Sequence, residues 1–359
     1  MAGPFETLFR LIRFAPKPGR PKPLKKSEGF EITKLTATDP TNARAPRTWK
    51  DAFFQTPGPR SPGAFAALAA RGFCMGAADI VPGVSGGTMA LVMGIYLDLL
   101  EAVRSADAAF FKRLFRADFK GALSGLHLRF LLPLFLGIVL ALVSLAGVIH
   151  YFLEHFPVYV WGFFSGLIAA SAAVVLKQVK KWAGGAAVMF PAGLALAFVI
   201  AGLAPVSTSN QPPFIFLAGF VAVCAMILPG ISGAFILLLL GKYEFITGTL
   251  RNPFSSENLW VIAVFVSGCL CGLFVFSRVL KFLIERYRDA SHAFLAGVIA
   301  GSMTKSQIVE ALSAALDGLK GAFSGDWGAQ NIWVPALLAA GFLFVIFLER
   351  ASEKKTLTF

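Results

Sequence analysis

Long apolar stretches separated by short polar connections run through this chain. Segments near the ~20 residues that cross a hydrocarbon core fall at 129–153, 158–176, 184–205, 259–283, 291–312 and 332–348. Two further apolar segments, 63–104 and 213–250, are long enough for a helix, a break and a second helix. Both hold the same loop: ADIVPGVSGGTMALVMGIY at 78–96 and AMILPGISGAFILLLLGKY at 225–243. Pro82, Gly83, Ser85, Gly86, Gly94 and Tyr96 recur 147 positions later as Pro229, Gly230, Ser232, Gly233, Gly241 and Tyr243. Backbone that leaves the helix at membrane depth must be buried in protein or line a cavity. Two such breaks at matching places point to a transport site.

The duplication extends past the loop. Gly137 answers Gly268 and Gly166 answers Gly297, both 131 positions apart. PAGLALAF at 191–198 answers PALLAAGF at 335–342, 144 positions on. The offset changes only across connections, where insertions are tolerated. The spacing therefore predicts two copies of one unit, a motif segment plus three spans, over 63–205 and 206–350.

Composition agrees with the apolar pattern. Hydrophobic residues make up 56% and charged residues 15%, against about 25% charged in soluble domains, so a polytopic membrane protein is expected. The charge places the connections. Residues 1–62 carry 12 Lys/Arg against 5 Asp/Glu and read as a disordered cytosolic tail lying on anionic membrane lipids. That tail lacks a basic fold with stacking aromatics, so no nucleic-acid partner is expected. Lys112, Arg113, Arg116 and Lys120 fill the connection 105–128, and Lys177, Lys180 and Lys181 the next one. Arg286, Arg288 and the tail residues Arg350, Lys354 and Lys355 complete the basic set. The connections 154–157 and 206–212 have no Lys or Arg. Under the positive-inside rule each motif segment crosses an even number of times and each unit an odd number. The second copy is then inverted. The expected fold is all-α: an inverted-repeat bundle of about six spanning helices plus two re-entrant helical hairpins, 63–104 and 213–250. Both termini, including the tail 351–359, are expected in the cytosol.

The loop carries the candidate chemistry. Gly83, Gly86, Gly87, Gly230 and Gly233 permit close approach of a ligand to backbone. Ser85, Thr88 and Ser232 add hydroxyls. A helix starting right after the turn would aim free N–H groups at a phosphate. The competing reading is a plain hairpin tip with Ser85 and Ser232 as N-caps. Ionisable groups inside apolar segments are costly and usually functional. Arg71 is the preferred direct phosphate ligand, with a structural ion pair as its alternative. Lys242 and Lys305 are further candidate charges. Asp79 and Glu244 are candidates for coupling or gating. So are Tyr96 and Tyr243, which read more simply as interfacial anchors. Cys74, Cys224, Cys269 and Cys271 lack metal-ligand spacing and read as buried apolar groups. No metal triad, Walker loop or nucleophile elbow is present, so catalytic residues and cofactors are not expected. Coupling to a proton or sodium gradient and a homodimer both stay open.

With GAADIVPGVSGGTMALVMGIY (76–96) and AMILPGISGAFILLLLGKY (225–243), the chain resembles the PopT-type polyprenyl-phosphate translocases over about 63–350. The resemblance implies a bacterial inner-membrane protein that returns undecaprenyl phosphate from the outer to the inner leaflet, for reuse in peptidoglycan synthesis. Two features depart from the family pattern: the long N-terminal tail, and the polar GSMTKSQ stretch at 301–307 around Lys305. Rival readings are a transporter for a small anion or an ion-coupled solute, and a membrane lipid-phosphate phosphatase.

Overall fold

In a computed structural model the described residues are 48–353, without 55, 82–83, 106–107, 183, 252–254, 304 and 325–330. Most of the basic N-terminal tail lies outside them. Every regular element among the described residues is an α-helix. The first motif segment forms α2 (Pro62–Asp79), α3 (Gly86–Val92) and α4 (Tyr96–Arg104), after a short α1 (Trp49–Phe54). Next come α5 (Ala108–Phe115) and α6 (Phe119–Gly125), then the long apolar α7 (Leu128–His155), α8 (Pro157–Leu176) and α9 (Gly185–Ala201). The second motif segment forms α10 (Pro212–Ile227), α11 (Gly233–Leu239) and α12 (Tyr243–Arg251). It is followed by α13 (Ser256–Arg286), α14 (Arg288–Ala300), α15 (Lys305–Ser324) and α16 (Val334–Glu353).

Four helices, α7, α8, α13 and α16, are long and apolar enough to cross a membrane, and up to six spans result if each bent pair counts as one. The bent pairs are α3–α4, at 119°, and α11–α12, at 113°. Each motif segment thus breaks twice rather than once. The second break falls at the repeated glycines Gly94 (φ +70°) and Gly241 (φ +63°), a left-handed conformation that glycine adopts without steric cost. The segment expected to span 291–312 also divides. Gly301 ends α14 tight against the Leu194 carbonyl, and the Ser302 hydroxyl donates to the Ile299 carbonyl at 2.8 Å. A new helix, α15, then runs through the stretch expected to be a connection.

Glycine-to-carbonyl crossings hold the helices together. A Cβ at Gly137 of α7 would lie 2.0 Å from the Ala69 carbonyl oxygen of α2, and one at Gly72 would lie 2.1 Å from that of Leu134. The same crossing joins α10 and α13 through Gly219 and Gly268, facing Phe265 and Phe216. A second pair joins α8 to α16 through Gly166 and Gly341, and α14 to α9 through Gly297 and Gly193. Small residues let backbones approach where lipid removes the hydrophobic drive to associate. Each crossing of the second pair takes one helix from each half. The main core wraps α3, whose Met89 and Ala90 are fully buried, together with Ile168 of α8 and Leu295 and Ile299 of α14.

Candidate functional site

The first tip is closed by its own polar groups. Asp79 ends α2, and its Oδ1 accepts from the Gly86 N–H at 2.6 Å. A Cβ on Gly86 would stand 2.5 Å from the Asp79 Oδ2, so this position has no room for a side chain. Ser85 is the extended N-cap of α3, and its hydroxyl accepts from the Gly87 N–H at 3.2 Å. Two of the N–H groups expected to face a phosphate are therefore already taken, one by a carboxylate. Thr88 follows in the first turn. It is 2% exposed, and its Oγ1 is the one buried side-chain polar atom without a partner among the described residues. A helical threonine hydroxyl ordinarily donates to a carbonyl one turn back. Such an orphan normally marks a missing water, ion or ligand, or stored strain. Gly83 lies outside the described residues.

The second tip is built differently. Ser232 occupies the N-cap of α11 but accepts no capping bond. Position 226 is Met where the first tip has Asp79, so no carboxylate clamps this turn. Gly230, at φ +90°, seats the turn on α14, where a Cβ would come within 2.9–3.1 Å of the Val298–Ile299 backbone. Gly233 sits against the Ala222 carbonyl. Ala234 and Leu238 of α11 are exposed, whereas their equivalents in the first tip are half-buried (Gly87) and buried (Leu91).

The two tips touch. A Cβ at Gly87 would lie 3.5 Å from the carbonyl oxygens of both Met226 and Ile227, at the end of α10. The Tyr96 hydroxyl donates to that same Ile227 carbonyl at 2.8 Å. Tyr96 is 2% exposed, so it is a buried strut across the two hairpins instead of the interfacial anchor expected. Its counterpart Tyr243 is 41% exposed.

The expected cations lie away from the tips. Arg71 stands eight residues before Asp79 on α2, about 12 Å along the helix. It is half-buried, and its guanidinium donates to the Ser352 hydroxyl of α16 at 3.2 Å. Ser352 in turn donates to the Met93 carbonyl at the α3–α4 bend. Asp98 lies close enough to attract Arg71, yet no carboxylate is within ion-pair distance of it among the described residues. Lys242 is fully buried, and its Nζ donates to the Thr208 carbonyl and to Asn210 Oδ1, both at 2.5 Å. It ties the 203–211 connection to the α11–α12 bend, so it is not at hand to neutralise a phosphate at the tips. The Lys305 side chain lies outside the described residues, and Glu244 is exposed.

Sequence reading missed Arg129, at the start of α7. It is 3% exposed, and its guanidinium donates to the carbonyls of Phe54, Thr56, Gly58 and Pro59. This cage straps the segment before α2 onto α7. One arginine at a span end carries no sequence signal for it, because the acceptors of its guanidinium are all backbone carbonyls.

A model of the undecaprenyl phosphate translocase-like family matches residues 75–321. The chain is 38% identical over 235 residues to a polyprenyl-phosphate transporter of Vibrio cholerae, covering 66% of this chain and 75% of that one. It is 30% identical over 247 residues to a polyprenyl-phosphate transporter of Staphylococcus aureus, covering 65% of this chain and 83% of that one. No solved structure matches it.

Proposed function

Because the chain belongs to the undecaprenyl phosphate translocase-like family, we propose that it carries undecaprenyl phosphate from the outer to the inner leaflet of a bacterial inner membrane by alternating access. It is a membrane protein and a transporter rather than an enzyme, in keeping with its relatives and its apolar helices. The leaflet direction, the inner membrane and the cytosolic termini belong to this proposal. So does the reading of 63–205 and 206–350 as inverted repeats.

The observation that carries it is the meeting of the two PGxSG tips through Gly87, Tyr96 and the Met226–Ile227 carbonyls. Each returning arm has seven residues and covers about 10 Å, one third of a hydrocarbon core of about 30 Å. We therefore read both hairpins as re-entrant, their tips meeting inside the membrane. The lipid phosphate binds where they meet, with the prenyl chain left in the bilayer. Thr88 supplies a hydroxyl there that the protein itself leaves unpaired. Asp79 and Ser85 preorganise the turn that presents Thr88. Arg71, half-buried midway along α2 and bonded through its guanidinium to Ser352 alone among the described residues, is the headgroup's first cationic contact. A planar guanidinium suits a phosphate.

Proteoliposome transport of undecaprenyl phosphate by Arg71→Ala and Thr88→Val proteins tests this assignment. Folded variants that transport at the wild-type rate would remove both residues from the site. An imposed pH or sodium gradient in the same vesicles tests coupling. A rate unchanged by either gradient leaves facilitated movement down the lipid gradient.

A further inference from the structure

If the two halves are inverted repeats, the oppositely facing state is reached when each half takes up the other's conformation. Contacts present in both halves survive that exchange. Contacts present once must break, and they have a partner in the other state only where the equivalent residues can make them.

The polar contacts sort cleanly on this criterion. The Thr208 hydroxyl donates to the Leu240 carbonyl at 2.7 Å, and the Ser352 hydroxyl donates to the Met93 carbonyl. Ser352 follows Thr208 by 144 positions and Leu240 follows Met93 by 147, the same offsets that relate the repeated segments. These twin latches hold both bends now and are the constant part of the fold. The first set of glycine crossings is also paired, Gly72 and Gly137 with Gly219 and Gly268. The Asp79 clamp occurs once and has no equivalent, since position 226 is Met. Arg71 and Lys242 align with Ala218 and Ile95, and likewise have none. Tyr96 is different. Its bond to the Ile227 carbonyl occurs once, yet the residues for a second copy are present: Tyr243 and Ile80 occupy the equivalent positions. One tyrosine is buried on the opposing tip while the other stands exposed.

We infer that Tyr96 and Tyr243 are a reciprocating switch: in the oppositely facing state Tyr243 docks on the Ile80 carbonyl, and Tyr96 leaves Ile227. The inference rests on the inverted-repeat reading above. Each tyrosine is a positioning residue that holds the tip of the other half in one state only. The bond favours whichever state contains it, and one neutral hydrogen bond shifts a two-state population about three- to tenfold.

The test is amide hydrogen exchange on the full-length protein in phosphatidylethanolamine and phosphatidylglycerol nanodiscs, with and without farnesyl phosphate as the probe. The readout is exchange in the second tip, 227–233, relative to the first, 80–86. Tyr96→Phe is expected to raise that ratio about three- to tenfold, and Tyr243→Phe to lower it. The double variant removes one bond from each state and is expected to restore the wild-type ratio. A merely structural tyrosine gives shifts of the same sign that add in the double variant, and that result overturns the switch. Undecaprenyl phosphate transport by the same wild-type preparation separates the two readings. Opposed shifts without transport refute the substrate and keep the switch. Transport without opposed shifts does the reverse.

Discussion

Replacing Arg129 by methionine tests the least expected feature of the fold. The side chain's length is kept, and the guanidinium that five donated bonds tie to the carbonyls of Phe54, Thr56, Gly58 and Pro59 is lost. A buried polar group stripped of its partner costs about 1–3 kcal/mol, so four carbonyls left unpaired set an upper bound near 10 kcal/mol. The real cost is smaller. The four carbonyls belong to the strap itself, so once the strap lifts, water reaches them. About 2–4 kcal/mol is therefore expected, appearing as local release of residues 54–60 and not as global unfolding. Limited trypsin digestion reads it directly, because Arg60 lies at the end of this strap, beside the buried Pro59. Cleavage of a transiently open segment follows the open population. That energy corresponds to cleavage at Arg60 about 30- to 1,000-fold faster. Arg129→Lys, with three donors instead of five, falls between. Transport per folded molecule stays unchanged, because the cage touches neither tip. If Arg129→Met abolished transport while Arg60 stayed as protected as in the wild type, the strap reasoning would be wrong and Arg129 would act on substrate.

The other expectations are brief. Thr88→Val removes an unpartnered buried hydroxyl, so detergent melting should show equal or higher stability, by up to about 1–3 kcal/mol, while undecaprenyl phosphate transport falls. Loss of both together would mean that the hydroxyl has a structural partner. Gly166→Leu drives a side chain into the Leu338 carbonyl, 2.0 Å from an ideal Cβ. Overpacking of about 3 kcal/mol or more should abolish the monodisperse protein peak in size-exclusion chromatography. Gly147→Leu, with nothing within 4 Å, should leave the peak intact. Lys242→Met should free the 203–211 connection to proteolysis and lower thermal stability, with little effect on prenyl-phosphate affinity, since its Nζ serves Thr208 and Asn210.

The features legible in advance were those with short-range or periodic causes. The long apolar helices α7, α8, α13 and α16 fall on their predicted segments within a few residues, because a span needs only length and apolarity. The glycines that mark the repeat, 137 with 268 and 166 with 297, are the points where helix backbones touch. Capping of the first tip by Ser85 was the competing reading of that loop, and it rests on residue type and position. Asp79, a candidate for coupling or gating from its place beside the turn, instead clamps the Gly86 N–H. What escaped depends on partners distant in sequence. Tyr96 and Tyr243 are the same residue in the same motif, and only the tertiary arrangement buries one on Ile227 and exposes the other. Lys242 read as a free charge because its acceptors belong to a connection 32 to 34 residues earlier. The division at Gly301 arises from contact with Leu194, which nothing local in GSMTKSQ reports.

The central claim is that this chain moves a prenyl phosphate between leaflets through the place where its two tips meet. Leaflet-resolved measurement of undecaprenyl phosphate in proteoliposomes tests it most directly, comparing wild type, Thr88→Val and protein-free vesicles. Rapid loss of the lipid from the outer leaflet with wild type, and slow loss with the variant, is the predicted result. Equal rates in wild-type and protein-free vesicles would contradict the function. Equal rates in wild type and variant would contradict the site.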